Sequence, residues 1–267
     1  MKKLLFLIFL TNYSLFAQLP DNTAMPEDTS DWKLYRIKIK DETFWIGFSP
    51  SSEHYFNRGK YKAQIHQYKE AIEDYTKSAE LAPEEPAPYY SRGAAKERMG
   101  DLKGAKEDFT KVIELKPDFE WGWNDRGQIN IKLKKFDEAE ADFKKAFQLK
   151  PDWAFPIFNI GLLYDKKGDR NKALDYYFQS LQIDSSNYMT YNNIGNMYSE
   201  QKNYDRAIFY FTKAIAVFPK YLNAYRNRAD AKMQKGDKDG ACQDLKIASD
   251  FGDVKAFKFY NELCIKK

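Results

Sequence analysis

A proline returns every 34 residues through the middle of this 267-residue chain, at Pro83, Pro117 and Pro151, and again two periods later at Pro219. Each closes a related phrase: KSAELAP at 77–83, KVIELKP at 111–117, KAFQLKP at 145–151 and KAIAVFP at 213–219. A unit this short cannot bury its own apolar face. A period of this kind therefore restricts the chain to stacked copies of one supersecondary element.

With units starting just after the proline, six fit without a gap: 52–85, 86–119, 120–153, 154–187, 188–221 and 222–255. Position 8 is then Gly59, Gly93, Gly127, Gly161, Gly195 and Ala229. Position 20 is Ala71, Ala105, Ala139, Ala173, Ala207 and Ala241, and position 24 is Tyr75, Phe109, Phe143, Tyr177, Phe211 and Leu245. Each unit holds two runs with helical apolar spacing. Turns such as MGD at 99–101 and KGD at 167–169 and 235–237 divide them. The proline ends the second run. Glycine inside a helix costs about 1 kcal/mol against alanine. Five glycines at one position therefore imply close approach of the paired helix, with glycine at 8 expected to face alanine at 20.

The pattern resembles the tetratricopeptide repeat family, with small residues at 8 and 20, aromatics at 4, 11 and 24 and proline at 32. The resemblance covers 204 of the 267 residues. It implies an all-α fold, a right-handed solenoid of six helix-turn-helix repeats. The chain departs from the pattern at position 11. Tyr164 and Tyr198 fill it, but Lys62, Lys96, Asn130 and Lys232 do not, and looser packing is expected there.

A second regularity links positions 7 and 23. Position 7 is Arg58, Arg92, Arg126, Ile160, Ile194 and Arg228; position 23 is Asp74, Asp108, Asp142, Tyr176, Tyr210 and Asp244. Arg always accompanies Asp, and Ile always accompanies Tyr. The expected meaning is a structural ion pair between the two helices of one unit, suited to arginine because its planar fork can hold both carboxylate oxygens.

The two ends read differently. Residues 1–17 begin with Lys2 and Lys3, continue with LLFLIFL and end at Ala17. This reads as a signal peptide cleaved after Ala17, with an uncleaved N-terminal anchor as the alternative. The mature chain would be exported, periplasmic or secreted, with no transmembrane segment. Residues 18–31, polar and containing proline, are expected to be a flexible linker. Residues 32–50 are expected to form a short β-rich segment: WKLYRIKI and TFWIGF alternate like a β-hairpin over 32–48, either capping the first array helix or offering a docking edge. At the other end, 253–267 is expected to be a capping helix with Val254, Phe257, Leu263 and Cys264 on one face. Cys242 and Cys264 form either a disulfide clipping that cap or two buried thiols.

The net charge of +4 falls to near +2 without Lys2 and Lys3. The charges are interspersed rather than blocked, which gives little ground for a nucleic-acid or anionic-membrane partner. His54 and His66 have no metal-binding spacing, and no nucleophile or phosphate-loop motif occurs. No cofactor, metal or catalytic role is expected.

The resemblance directs attention to the first helix of each repeat, which in this family lines a concave groove. Asn57, Asn124, Asn159, Asn192, Asn193, Asn196 and Asn227 lie at its positions 5, 6 and 9. Each amide carries a donor and an acceptor, so such a row suits the backbone of an extended peptide. Tyr90, Trp121, Phe155 and Phe158 would supply apolar pockets, and Arg226 would receive an acidic group. No position 5 is lysine, so the family's carboxylate clamp is absent. The expected function is a non-catalytic scaffold of the cell envelope that binds a partner protein or extended peptide in this groove. The alternative is a permanent structural subunit using its convex face or N-terminal segment.

Overall fold

A computed structural model describes residues 30–265, and among them it contains fourteen α-helices and no strand. The expected signal peptide and residues 18–29 of the expected linker lie outside the described residues. The chain divides into two compact units, one ending at Leu81 and the other starting at Ala82.

The first unit holds α1 (Ser30–Phe48), α2 (Ser52–Gln64) and α3 (Tyr68–Leu81). Helix α1 overturns the expected β-hairpin over 32–48. Trp32, Tyr35, Lys38, Ile39, Glu42 and Ile46 are its less exposed residues, and their spacing of three and four is helical rather than alternating. This side of the helix meets α2, with Trp45 at its border. The Tyr35 ring stacks near Tyr61 at 6.1 Å between centroids, Trp45 stacks on His54 at 6.1 Å, and His54 Nδ1 lies 2.8 Å from Glu42 Oε2. The strand-like alternation of WKLYRIKI was compatible with either period, and packing against α2 selects the helix.

The second unit continues with α4 (Pro86–Arg98), α5 (Leu102–Leu115), α6 (Glu120–Lys132), α7 (Phe136–Leu149), α8 (Phe155–Lys167), α9 (Arg170–Ile183), α10 (Tyr188–Glu200), α11 (Tyr204–Val217), α12 (Leu222–Lys235), α13 (Lys238–Asp250) and α14 (Val254–Tyr260). A π-helical turn, Asn261–Ile265, follows. Helices pair as α4/α5 through α12/α13, and the second helix of each pair contacts the first helix of the next. Local chemistry sets the turns. Gly100, Gly168 and Gly236 take positive φ at the ends of the first helices, where glycine has no steric penalty. Asp101, Asp169, Asn203 and Asp237 then cap the second helices, their side-chain oxygens accepting backbone N–H bonds from Gly104, Lys172, Arg206 and Gly240.

All six position-20 alanines are fully buried. The position-8 glycines face chiefly the position-24 rings, and at Gly93 the position-20 alanine is close as well, with Ala105 O 3.4 Å from an added Cβ. A Cβ added at Gly127, Gly161 or Gly195 would sit 2.6 Å from a ring carbon of Phe143, Tyr177 or Phe211. A flat ring can lie over a glycine backbone where a branched contact cannot. Where position 8 becomes Ala229, position 24 becomes Leu245, and the pair is buried together.

The C-terminal segment packs on α13 by a different face from the one expected. Ala256, Tyr260 and Cys264 turn inward against the cluster of Tyr225, Leu245 and Ala248. Val254, Phe257 and Leu263 are exposed. Residues 256, 260 and 264 form the i, i+4, i+8 row that brings Cys264 to Cys242. The two cysteines form a disulfide, with 5.8 Å between their Cα atoms and 22 residues between them in sequence.

Candidate functional site

The four Arg/Asp repeats share one geometry. Arg58 Nε and Nη2 donate to Asp74 at 2.9 and 2.6 Å, Arg92 to Asp108 at 3.0 and 2.6 Å, Arg126 to Asp142 at 3.0 and 2.6 Å, and Arg228 to Asp244 at 2.9 and 2.6 Å. Position 11, far from being loose, supplies a third member. Lys62, Lys96 and Lys232 place Nζ 2.8 to 2.9 Å from the same carboxylates, and Asn130 Nδ2 donates to Asp142 at 2.9 Å. Tyr55, Tyr89, Trp123 and Tyr225 carry the guanidinium groups on their ring faces. The two Ile/Tyr repeats replace the triad with stacked rings, Tyr164 on Tyr176 and Tyr198 on Tyr210, each 5.5 Å between centroids. These clusters sit between paired helices and hold the scaffold.

The asparagine row is largely used up inside the protein. Asn159 Nδ2 donates to Asn124 Oδ1 at 2.8 Å. Asn227 Nδ2 donates to Asn192 Oδ1 and to Asn196 Oδ1, both at 3.0 Å. Tyr90 donates its hydroxyl to Asp125 Oδ2 at 2.5 Å. In all of these but the Asn196 bond, position 5 of one pair meets position 6 of the next, a step of 35 residues. Phe158 takes the place of an amide in the rung before Asn193, which lies beside the Tyr177 hydroxyl. Asn124, Asn159 and Asn192 are buried. The expected row of peptide-facing amides is therefore, for these three, a set of polar rungs between neighbouring pairs. Asn57 belongs to the first unit, where its Oδ1 accepts from Lys60 Nζ at 3.4 Å.

Profiles of the tetratricopeptide repeat match residues 53–85, 87–119, 121–152, 157–187 and 188–221, more than half of the chain. The chain belongs to the tetratricopeptide repeat family. The expected sixth repeat, 222–255, lies outside those matches; α12 and α13 occupy it and keep the Arg228–Lys232–Asp244 triad. Among solved structures, a tetratricopeptide repeat protein from Parabacteroides merdae matches with a TM-score of 0.69 and 16% identity, over 89% of this chain and all of that one. The APC/C hetero-tetramer Cut9–Hcn1 matches at 0.66 and 15% identity over 89% of this chain, which spans 47% of the chain in that complex. The pilF protein of Pseudomonas aeruginosa matches at 0.63 and 17% identity, over 79% of this chain and 97% of that one. A comparison with curated protein sequences finds no match.

Within the tetratricopeptide repeats of the second unit, the expected pocket aromatics are mostly core. Tyr90 packs on Phe109 and Phe119, and Phe158 is buried against Tyr177. Trp121 and Phe155 are half-buried, both against the buried Trp153. Arg226 is engaged by Asp253, with Nε 3.2 Å from Oδ2. Asp253 also caps α14, accepting from the backbone N–H of Lys255 and Ala256. Arg226 thus ties the last repeat to the C-terminal helix.

Asp125, at position 6 of its repeat, was not among the expected site residues. It accepts from Tyr90 and from Asn124 Nδ2 at 3.0 Å and has no ion-pair partner among the described residues. Burial pushes its carboxyl up to about 7, against the pull of the Tyr90 and Asn124 hydrogen bonds, and nearby Glu97 adds to the rise. The signal that could have found it is the 35-residue step to Tyr90. No group of three or more metal-ligating side chains occurs among the described residues.

Proposed function

We propose that this protein is an exported, non-catalytic scaffold of the cell envelope that holds a partner protein or extended peptide on the first-helix face of its repeats. Family members are generally scaffolds for protein contacts, and that coarse role comes with the fold. The observation that carries the finer reading is what the first-helix face leaves accessible after its internal rungs are made. Gln128, Leu162, Asn193 and Asn196 stay partly exposed and Asp165 is exposed, at positions 9, 6 and 12 of α6, α8 and α10. They mix amide, apolar and acidic groups, as an extended segment with alternating side chains requires. Export is supported by Lys2, Lys3, the apolar run 4–10 and Ala17, and by the Cys242–Cys264 disulfide, a bond at home in oxidising compartments.

The test is a pull-down from envelope extract with three matched baits: the parent, a first-helix variant (Gln128→Arg, Asp165→Arg) and a second-helix variant (Lys111→Glu, Lys145→Glu). A partner kept by the parent and the second-helix variant but lost by the first-helix variant supports the groove. The reverse pattern transfers the interface to the convex face, and the protein becomes a structural subunit.

A further inference from the structure

The first unit has an apolar face that its described helices do not cover. Helix α1 packs on α2 through one side, yet Leu34, Ile37, Phe44 and Phe48 on the other are 48 to 77% exposed, and Trp45, at the border where its ring reaches His54, is 46% exposed. At 3.6 residues per turn these five fall within one arc of about 100°. Lys33, Arg36 and Lys40 line one edge of that arc, exposed and without an ion-pair partner among the described residues. A strand would have scattered these groups to opposite faces. The helix gathers them, so basic residues that look interspersed in sequence become an edge beside an apolar stripe. No described helix is long and apolar enough to cross a membrane.

We propose that α1 is an interfacial helix that docks the first unit onto an anionic lipid surface. Three aromatic side chains cluster at its C-terminal half, with Trp45 against both Phe44 and Phe48. Rings of this kind settle at the headgroup boundary, and a lysine and arginine edge meets lipid phosphates. Asp41 lies inside the arc, so the helix rides shallowly in the plane of the interface. A second copy of this chain fits less well, because antiparallel pairing centred on the 34–48 stripe brings the Lys40 side chains of the two helices together on the same edge. The inference is independent of the first-helix groove.

The probe is co-flotation of the chain from Gln18 onward with vesicles of phosphatidylcholine doped with phosphatidylglycerol, and with phosphatidylcholine alone. Binding is expected to the anionic vesicles and to weaken with salt. Phe44→Ser with Phe48→Ser should lower the partition by more than about tenfold, with the melting temperature unchanged because both rings are exposed. Asp41→Asn should raise it about fivefold, one charge near an anionic surface being worth about 1 kcal/mol. Failure of the parent to float, equal binding by the serine variant, or weaker binding by Asp41→Asn overturns the proposal. So does a concentration-dependent dimer, abolished by the serine substitutions, in a chain that ignores vesicles.

Discussion

Lys96 Nζ lies 2.8 Å from Asp108 Oδ2, the same oxygen that accepts from Arg92 Nε. One buried carboxylate thus receives two cations from a single helix, one turn apart. The arrangement recurs with Lys62 on Asp74 and Lys232 on Asp244. It explains why position 11 abandons its aromatic wherever position 7 is arginine.

This coupling predicts how the modules exchange. Arg126→Ile strands Asp142 in a buried site and should cost about 3–5 kcal/mol. Adding Asp142→Tyr should recover part of that loss. Adding Asn130→Tyr as well should recover most of it, by rebuilding the stack seen between Tyr164 and Tyr176. Urea midpoints of the single, double and triple variants measure this, and strictly additive losses would reject the coupling.

The ring over glycine gives a second exchange. Gly161→Ala places Cβ 2.6 Å from the Tyr177 ring, closer than packed carbons tolerate, and should cost about 2 kcal/mol. Tyr177→Leu added to it copies Ala229 with Leu245 and should return part of that stability. Thermal melts of the pair decide it; if the double variant is as unstable as the sum of its singles, the exchange fails.

Asp125 predicts a pH dependence. Its carboxyl sits at about 7 in the folded protein, above an unfolded value of about 3.9. The folded state therefore binds more protons between these values, and stability falls as pH rises through that window. Asp125→Asn keeps an oxygen for the Tyr90 hydroxyl and cannot ionise. Its stability relative to the parent should increase from pH 4 to pH 8 by up to about 4 kcal/mol. A constant difference across that range would show that Asp125 does not titrate there.

The disulfide closes a loop of 22 residues, and a loop of that length is worth about 3 kcal/mol. Replacing Cys242 and Cys264 by alanine should lower the melting temperature and open residues 254–265 to protease, with the earlier repeats still protected. Cleavage spread evenly along the chain would mean that the cap supports more than its own repeat.

Much of the architecture was legible because it is periodic. Six alanines and five glycines in register demand close helix pairs, and arginine and aspartate in matching positions pair within them. The rungs were harder to see. Asn124 and Asn159, or Tyr90 and Asp125, lie at different positions in consecutive repeats, so a reading by columns treats each as facing outward. Their meeting depends on how far one pair advances past the next.

What the sequence determined by itself is the repeating hairpin, since a small residue, a ring and a proline at fixed spacing allow one way to bury the apolar side. Tertiary packing decided what repetition leaves ambiguous. WKLYRIKI suits a strand or a helix, and packing against α2 selected the helix by partly covering Tyr35, Ile39 and Ile46 on one side. An amide can bind a peptide or a neighbouring repeat, and at hydrogen-bonding distance the neighbour took it. The same packing left the outer face of α1 uncovered, because α2 can bury only one side of it.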